Sequence, residues 1–219
     1  MNKFYNQPIL LQWVEAILLL IIGFYPALLI IEASYTNPIF YLLFILYIPI
    51  GQFSYTPIFR LTGVYQYYSP MLLGYMPNNN QIDLHSGGSF DYLFVMTKYK
   101  PGLNFKFRII TFHTEGLLNI ISKIESNKIP GTVIIHGTSY FFNDRTLTKL
   151  GFELIKPSYF YRLNLLVNFI DLVWMYSFSK GKVSIPSVWN AKKASITGYD
   201  LVQKKEIITE LYNKYKVKL

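Results

Sequence analysis

The sequence predicts an α/β domain, built on a mixed α+β sheet, behind a two-helix transmembrane hairpin. Three observations carry that expectation. Hydrophobic residues make up 52% of the 219-residue chain and charged residues only 15%, too apolar a balance for a wholly water-soluble fold. Lys3, Glu15 and Glu32 are the only formal charges before Arg60, so the excess of positive charge behind the net +9 resides entirely in the remainder of the chain. Beyond Pro101, β-prone runs alternate with segments of helical period, an order that implies an α/β sheet. The chain therefore divides into a hairpin (residues 1–59), a mixed α/β domain (60–162) and an amphipathic, basic, membrane-proximal helical region (163–219).

Residues 9–31 form an apolar run of about the length that crosses a bilayer core, broken only by Gln12 and Glu15 near one end. Glu15 is close enough to that end to snorkel toward headgroups. A turn over residues 32–38 leads into a second apolar run, 39–59, with Tyr-rich flanks suited to the headgroup level. Pro26 and Pro49 are expected to kink the helices, and Gly23 to let them pack closely. The basic n-region and small-residue cleavage pattern of a secretory signal are missing, so the hairpin is expected to stay attached. Lys3 and Arg60 flank it, and the positive-inside rule then puts both termini on the cytoplasmic side of the cytoplasmic membrane.

After Arg60, residues 63–100 are Tyr-rich and broken by turns. Strands are expected over Met71–Met76 and Gln81–His85, joined by the Pro77–Asn80 turn, and again over Phe90–Met96. Phe105–Phe112 reads as a strand, with Thr114 capping a helix whose apolar positions are Leu117, Leu118, Ile121 and Ile124. Residues 132–135 form a further strand, 143–150 a short helix and 152–155 a strand. Residues 163–178 and 200–216 each read as one amphipathic helix.

The three histidines, His85, His113 and His136, each follow a strand-like run and precede Ser, Thr or Gly. In open α/β sheets the carboxyl ends of strands are where ligands bind. On that ground His113 with Glu115, and His136 with Ser139, are the candidate catalytic groups for general-base chemistry. Gly116 at the expected helix start would leave backbone N–H groups open to an anion. Gly87 and Gly88 most simply permit a tight turn. A three-histidine metal site needs convergent imidazoles, and the spacing matches no local metal motif, so no metal is expected. The chain has no cysteine, which excludes disulfides, thiolate metal sites and cysteine nucleophiles.

Residues 107–152 resemble the second half of a GNAT-type N-acyltransferase. The likeness lies in the strand, helix, strand order and in N143-D-R-T-L-T-K-L-G-F152, similar to the Asn and closing Leu-Gly-Phe of that family. The resemblance implies an acyl-CoA cofactor, with Thr114 and Gly116 at its pyrophosphate and Asn143 beside its pantetheine arm. The functional expectation is a membrane-anchored, acyltransferase-like enzyme. The competing one is a non-enzymatic scaffold or accessory subunit that holds a membrane-protein partner. The basic charge is expected to meet anionic lipid headgroups rather than nucleic acid, because the aromatics are not interleaved with Lys and Arg as a stacking platform requires.

Overall fold

The computed structural model describes residues 4–138, 144–156, 158–187 and 191–217. Asn143 and Ser139, both named above, lie outside the described residues. Helix α1 (Ile9–Thr36) and a second stretch, a 3-10 turn (Pro38–Leu43) running into α2 (Phe44–Leu61), are long and apolar enough to cross a membrane. Their apolar side chains are largely outside the protein: Leu10 is 74% and Ile22 66% exposed. Glu32, expected in the turn, is inside α1. The reversal comes at Asn37, whose side-chain oxygen accepts from the Ile39 N–H at 3.1 Å. Gly23 brings the two helices together, since a Cβ there would lie 2.4 Å from Ser54 Cβ.

The sheet has six strands in the order β1-β2-β3-β4-β6-β5, namely β1 (Tyr65–Ser69), β2 (Leu72–Tyr75), β3 (Gln81–Ser86), β4 (Ile134–Thr138), β5 (Glu153–Ile155) and β6 (Lys193–Thr197). Every neighbouring pair is antiparallel except β3 and β4, which run parallel. The β2–β3 turn forms as expected, with Asn78 Oδ1 accepting from the Asn80 and Gln81 N–H groups at 2.9 Å each.

Two expected strands are helices. Phe90–Met96 is instead α3 (Ser89–Val95) followed by a 3-10 turn. Phe90 and Phe94, four residues apart, face the hairpin, while Tyr92, Val95 and Met96 fill a second core with Phe105 and Ile109. Phe105–Phe112 is not a strand, and Thr114 caps nothing: one helix, α4, runs from Leu103 to Glu125. Its buried residues Phe105, Ile109, His113, Leu117, Ile120 and Ile124 recur at helical spacing, and that periodicity overrides the β-branched run that suggested a strand. The Thr114 hydroxyl donates back to the Ile110 and Thr111 carbonyls inside this helix.

The remaining helices are α5 (Asp144–Lys149), α6 (Tyr159–Val167), α7 (Phe169–Lys180), α8 (Gly198–Gln203) and α9 (Lys205–Lys216). Each of the two amphipathic helices expected near the carboxyl terminus is split, the first at Asn168 and the second at Lys204. The last segment is no separate layer. Strand β6 lies between β4 and β5, and Leu201 and Ile208 are buried in the main core with Ile82, Ile135 and Ile120. The sheet thus draws on both the 60–162 and the 163–219 segments.

Gly116 sits where α4 crosses β2, and a Cβ there would lie 2.6 Å from Leu72 Cδ2 and 2.9 Å from Leu72 Cβ. Gly88, by contrast, has nothing within 4 Å of that position. We expect Gly116→Val to destabilise the fold by about 1–3 kcal/mol, the usual cost of overpacking, and Gly88→Ala to change little. Thermal unfolding of the detergent-solubilised variants measures the difference.

Candidate functional site

The sheet separates the histidines. Ile82 and Leu84 point into the core under α4, so alternation along β3 sends Asp83 and His85 to the opposite face. The parallel register sets Asp83 beside His136, and β6 adds Ser195 beside His136. Gln81, Asp83, His85, His136 and Ser195 therefore share one face. On β3, β4 and β6 that face retains solvent contact, and Ile134 is 44% exposed there. His136, expected at a strand end, is in the middle of β4.

Gln81 Nε2 donates to Asp83 Oδ2 at 2.7 Å and fixes the carboxylate along the strand. His136 Nδ1 is buried without a hydrogen-bond partner. A buried polar atom left unpaired in a native fold calls for an explanation, and a ligand is one. Burial, then the nearby Lys193 ammonium, lower the His136 pKa, and Asp83 opposes them, so the imidazole is neutral near pH 7. The β3–β4 ladder ends at Leu84 beside Gly137, although β3 continues to Ser86 and β4 to Thr138.

The residues expected to carry chemistry on Phe112–Gly116 take other positions. His113 is in the middle of α4, on the core side of the sheet, with Nε2 3.3 Å from Ser86 Oγ. Burial lowers its pKa to about 4, while a bond to the Met71 carbonyl opposes the shift. It braces the start of β2 and the end of β3 against α4. Glu115, two residues on, faces elsewhere on the helix, so the two do not act as a pair. Burial raises the Glu115 pKa and Lys216 of α9 pulls it back. Thr114 and Gly116 lie inside the helix, where backbone N–H groups are already bonded, so neither opens an anion site.

A second polar cluster, missed in the sequence, joins the sheet to the hairpin. Asp91, in the first turn of α3, is 1% exposed. The Tyr67 hydroxyl donates to Asp91 Oδ2 at 2.8 Å. The Arg60 guanidinium, at the end of α2, lies 3.4 Å from the Tyr5 ring centre and 4.9 Å from that of Tyr67. Gly87 makes room for Asp91, since a Cβ at Gly87 would lie 2.8 Å from Asp91 Cβ. Burial raises the Asp91 carboxyl to about 7, with Tyr67 and Arg60 pulling against it. On the other side of α3, the Ser89 hydroxyl donates to Asp171, and Trp174 Nε1 donates to Asp171 Oδ1 at 2.9 Å. The signal available in the sequence was an acid flanked by aromatics, F90-D-Y92, in a segment that reads as a strand.

Among the described residues, no group of three His, Asp or Glu side chains is placed to hold a metal ion. Asp91 binds its proton more tightly in the folded chain than in the unfolded one, where its pKa is 3.8, so its stabilising contribution is present below that value. The contribution is lost as pH rises toward about 7, with a slope approaching about 1.4 kcal/mol per pH unit. We expect Asp91→Asn to remove this component of the pH dependence, read as the difference between the two proteins' denaturation midpoints from pH 4.5 to 7.5. Comparison of the chain with protein-family models, curated proteins and solved structures finds no match.

Proposed function

We propose that the chain is a membrane-anchored enzyme that transfers an acyl group from acyl-coenzyme A to an amine, as the resemblance of residues 107–152 to GNAT-type N-acyltransferases implies. One observation carries the reading: His136, beside Asp83 on the open face of a parallel strand pair, has a buried ring nitrogen without a hydrogen-bond partner. The structure departs from that resemblance at its first element, because Phe105–Phe112 lies inside α4 and the order from β3 is strand, two helices, strand, short helix, strand.

In this reading the amine nitrogen attacks the thioester carbonyl. The C–N bond forms, the C–S bond breaks, the amine proton passes to the neutral His136 imidazole, and the departing thiolate takes up a proton. Gln81 and Asp83 hold the face beside it. The two apolar helices form the anchor. Arg60, at the domain end of α2, favours the cytoplasmic side for both termini and contact with anionic headgroups.

The test uses the full chain in mild detergent with a series of acyl-CoAs and amine acceptors. We expect His136→Asn to keep acyl-CoA affinity while turnover falls by about 100-fold or more, the range for loss of a general base. The acid limb of the wild-type kcat/KM profile should lie below pH 6.5, because the imidazole's pKa is lowered from that value. Failure of the wild-type protein to bind any acyl-CoA, or unchanged turnover in His136→Asn, would overturn the proposal. A stoichiometric protein partner retained through purification without turnover would favour the scaffold.

A further inference from the structure

A groove of about 350 Å³ lies between α1 and α3, near the low end of the size range for ligand pockets. Helix α1 contributes Glu15, Leu18, Leu19 and Ile22, whose i, i+3, i+4, i+7 spacing puts them on one stripe. At 1.5 Å per residue the stripe runs roughly 10 Å along the helix. Phe90 and Phe94 of α3, with ring centres 4.6 Å apart, form the floor. Leu18 and Ile22 are exposed, so the groove opens sideways along the apolar surface of the hairpin.

Its polarity is one-sided. Glu15 and Gln7 stand at the end nearer the start of α1, and the rest of the lining is apolar. Gln7 is held there because the chain before α1 folds back, with Gln12 Nε2 donating to the Gln7 carbonyl at 2.8 Å and to that of Tyr5 at 3.3 Å. With its amide nitrogen toward the carboxylate, Gln7 lies 3.0 Å from Glu15 Oε1. Among the described residues no Lys or Arg forms a salt bridge with Glu15. A carboxylate at the headgroup end of a groove that continues as hydrocarbon matches an amphiphile with a cationic head and an apolar tail.

We infer that this groove holds one acyl chain of a membrane phospholipid whose primary-amine headgroup donates hydrogen bonds to Glu15. The inference rests on the hairpin lying in the bilayer, but not on acyl transfer. A quaternary headgroup of the same charge has no N–H to donate, so an ethanolamine headgroup is selected over a choline one.

The full chain is reconstituted into nanodiscs of equal parts phosphatidylethanolamine and phosphatidylcholine, then released, and co-retained lipid is quantified by native mass spectrometry. We expect the wild type to retain phosphatidylethanolamine over phosphatidylcholine by about tenfold, the worth of one charge-assisted hydrogen bond. Glu15→Gln should abolish the preference while keeping a chain bound, and Leu19→Trp should abolish retention of either lipid. Leu10→Trp, on the exposed surface away from the groove, should behave as wild type. Equal retention by wild type, Glu15→Gln and Leu19→Trp overturns the groove alone. A chain that stays out of the nanodiscs overturns the anchored hairpin and the groove together.

Discussion

Two parallel strands cannot be joined by a tight turn, and the rest of this molecule is arranged around that constraint. Strands β3 and β4 are neighbours of the same sense, so the chain between them must leave the sheet and return. It does so through α3 and α4. Helix α4 then backs one face of the sheet, and α8 and α9 close the same core from the carboxyl-terminal end. The opposite face is covered at β1, where Tyr5 and Phe59 pack against Tyr67 and Tyr65, and keeps its polar side chains open toward β4. The location of the candidate chemistry follows from which face the crossover helix occupies.

Much of this order was legible in the sequence, and the failures have a common cause. The apolar runs of the hairpin, the Asn-rich turn at Pro77–Asn80 and the strands β2, β3 and β5 carry short-range signals that tertiary contacts did not alter. Phe105–Phe112 carried two conflicting signals. Ile109, Ile110 and Thr111 favour a strand locally, whereas the spacing from Phe105 through Ile124 is helical, and burial against the sheet decided for the longer period. Strand β6 is short, contains Lys193, Ala194 and Ser195, and owes its state to two neighbours distant in sequence.

The candidate site was only partly legible, for the same reason. His136 was identifiable, but its partners Asp83 and Ser195 come from β3 and β6, and only the register brings them alongside. His113 looked the stronger candidate because the helix it belongs to was divided in two at Thr114. Once α4 is continuous, that histidine becomes a brace beneath Ser86, and the open face passes to His85 and His136. Asp91 depends on a similar reassignment: its burial requires α3 to be a helix pressed between Tyr67 and the hairpin.

The position of β6 between β4 and β5 has a consequence for how the protein is made. Among the described residues β5 pairs only with β6, which is synthesised after it, so β5 has no neighbour until β6 has left the ribosome. By then the two long apolar helices have already left the ribosome. The order of synthesis separates the emergence of those helices from closure of the sheet, and leaves β4 with an open edge until β6 emerges. Truncation ahead of β6 would remove an interior strand of the sheet.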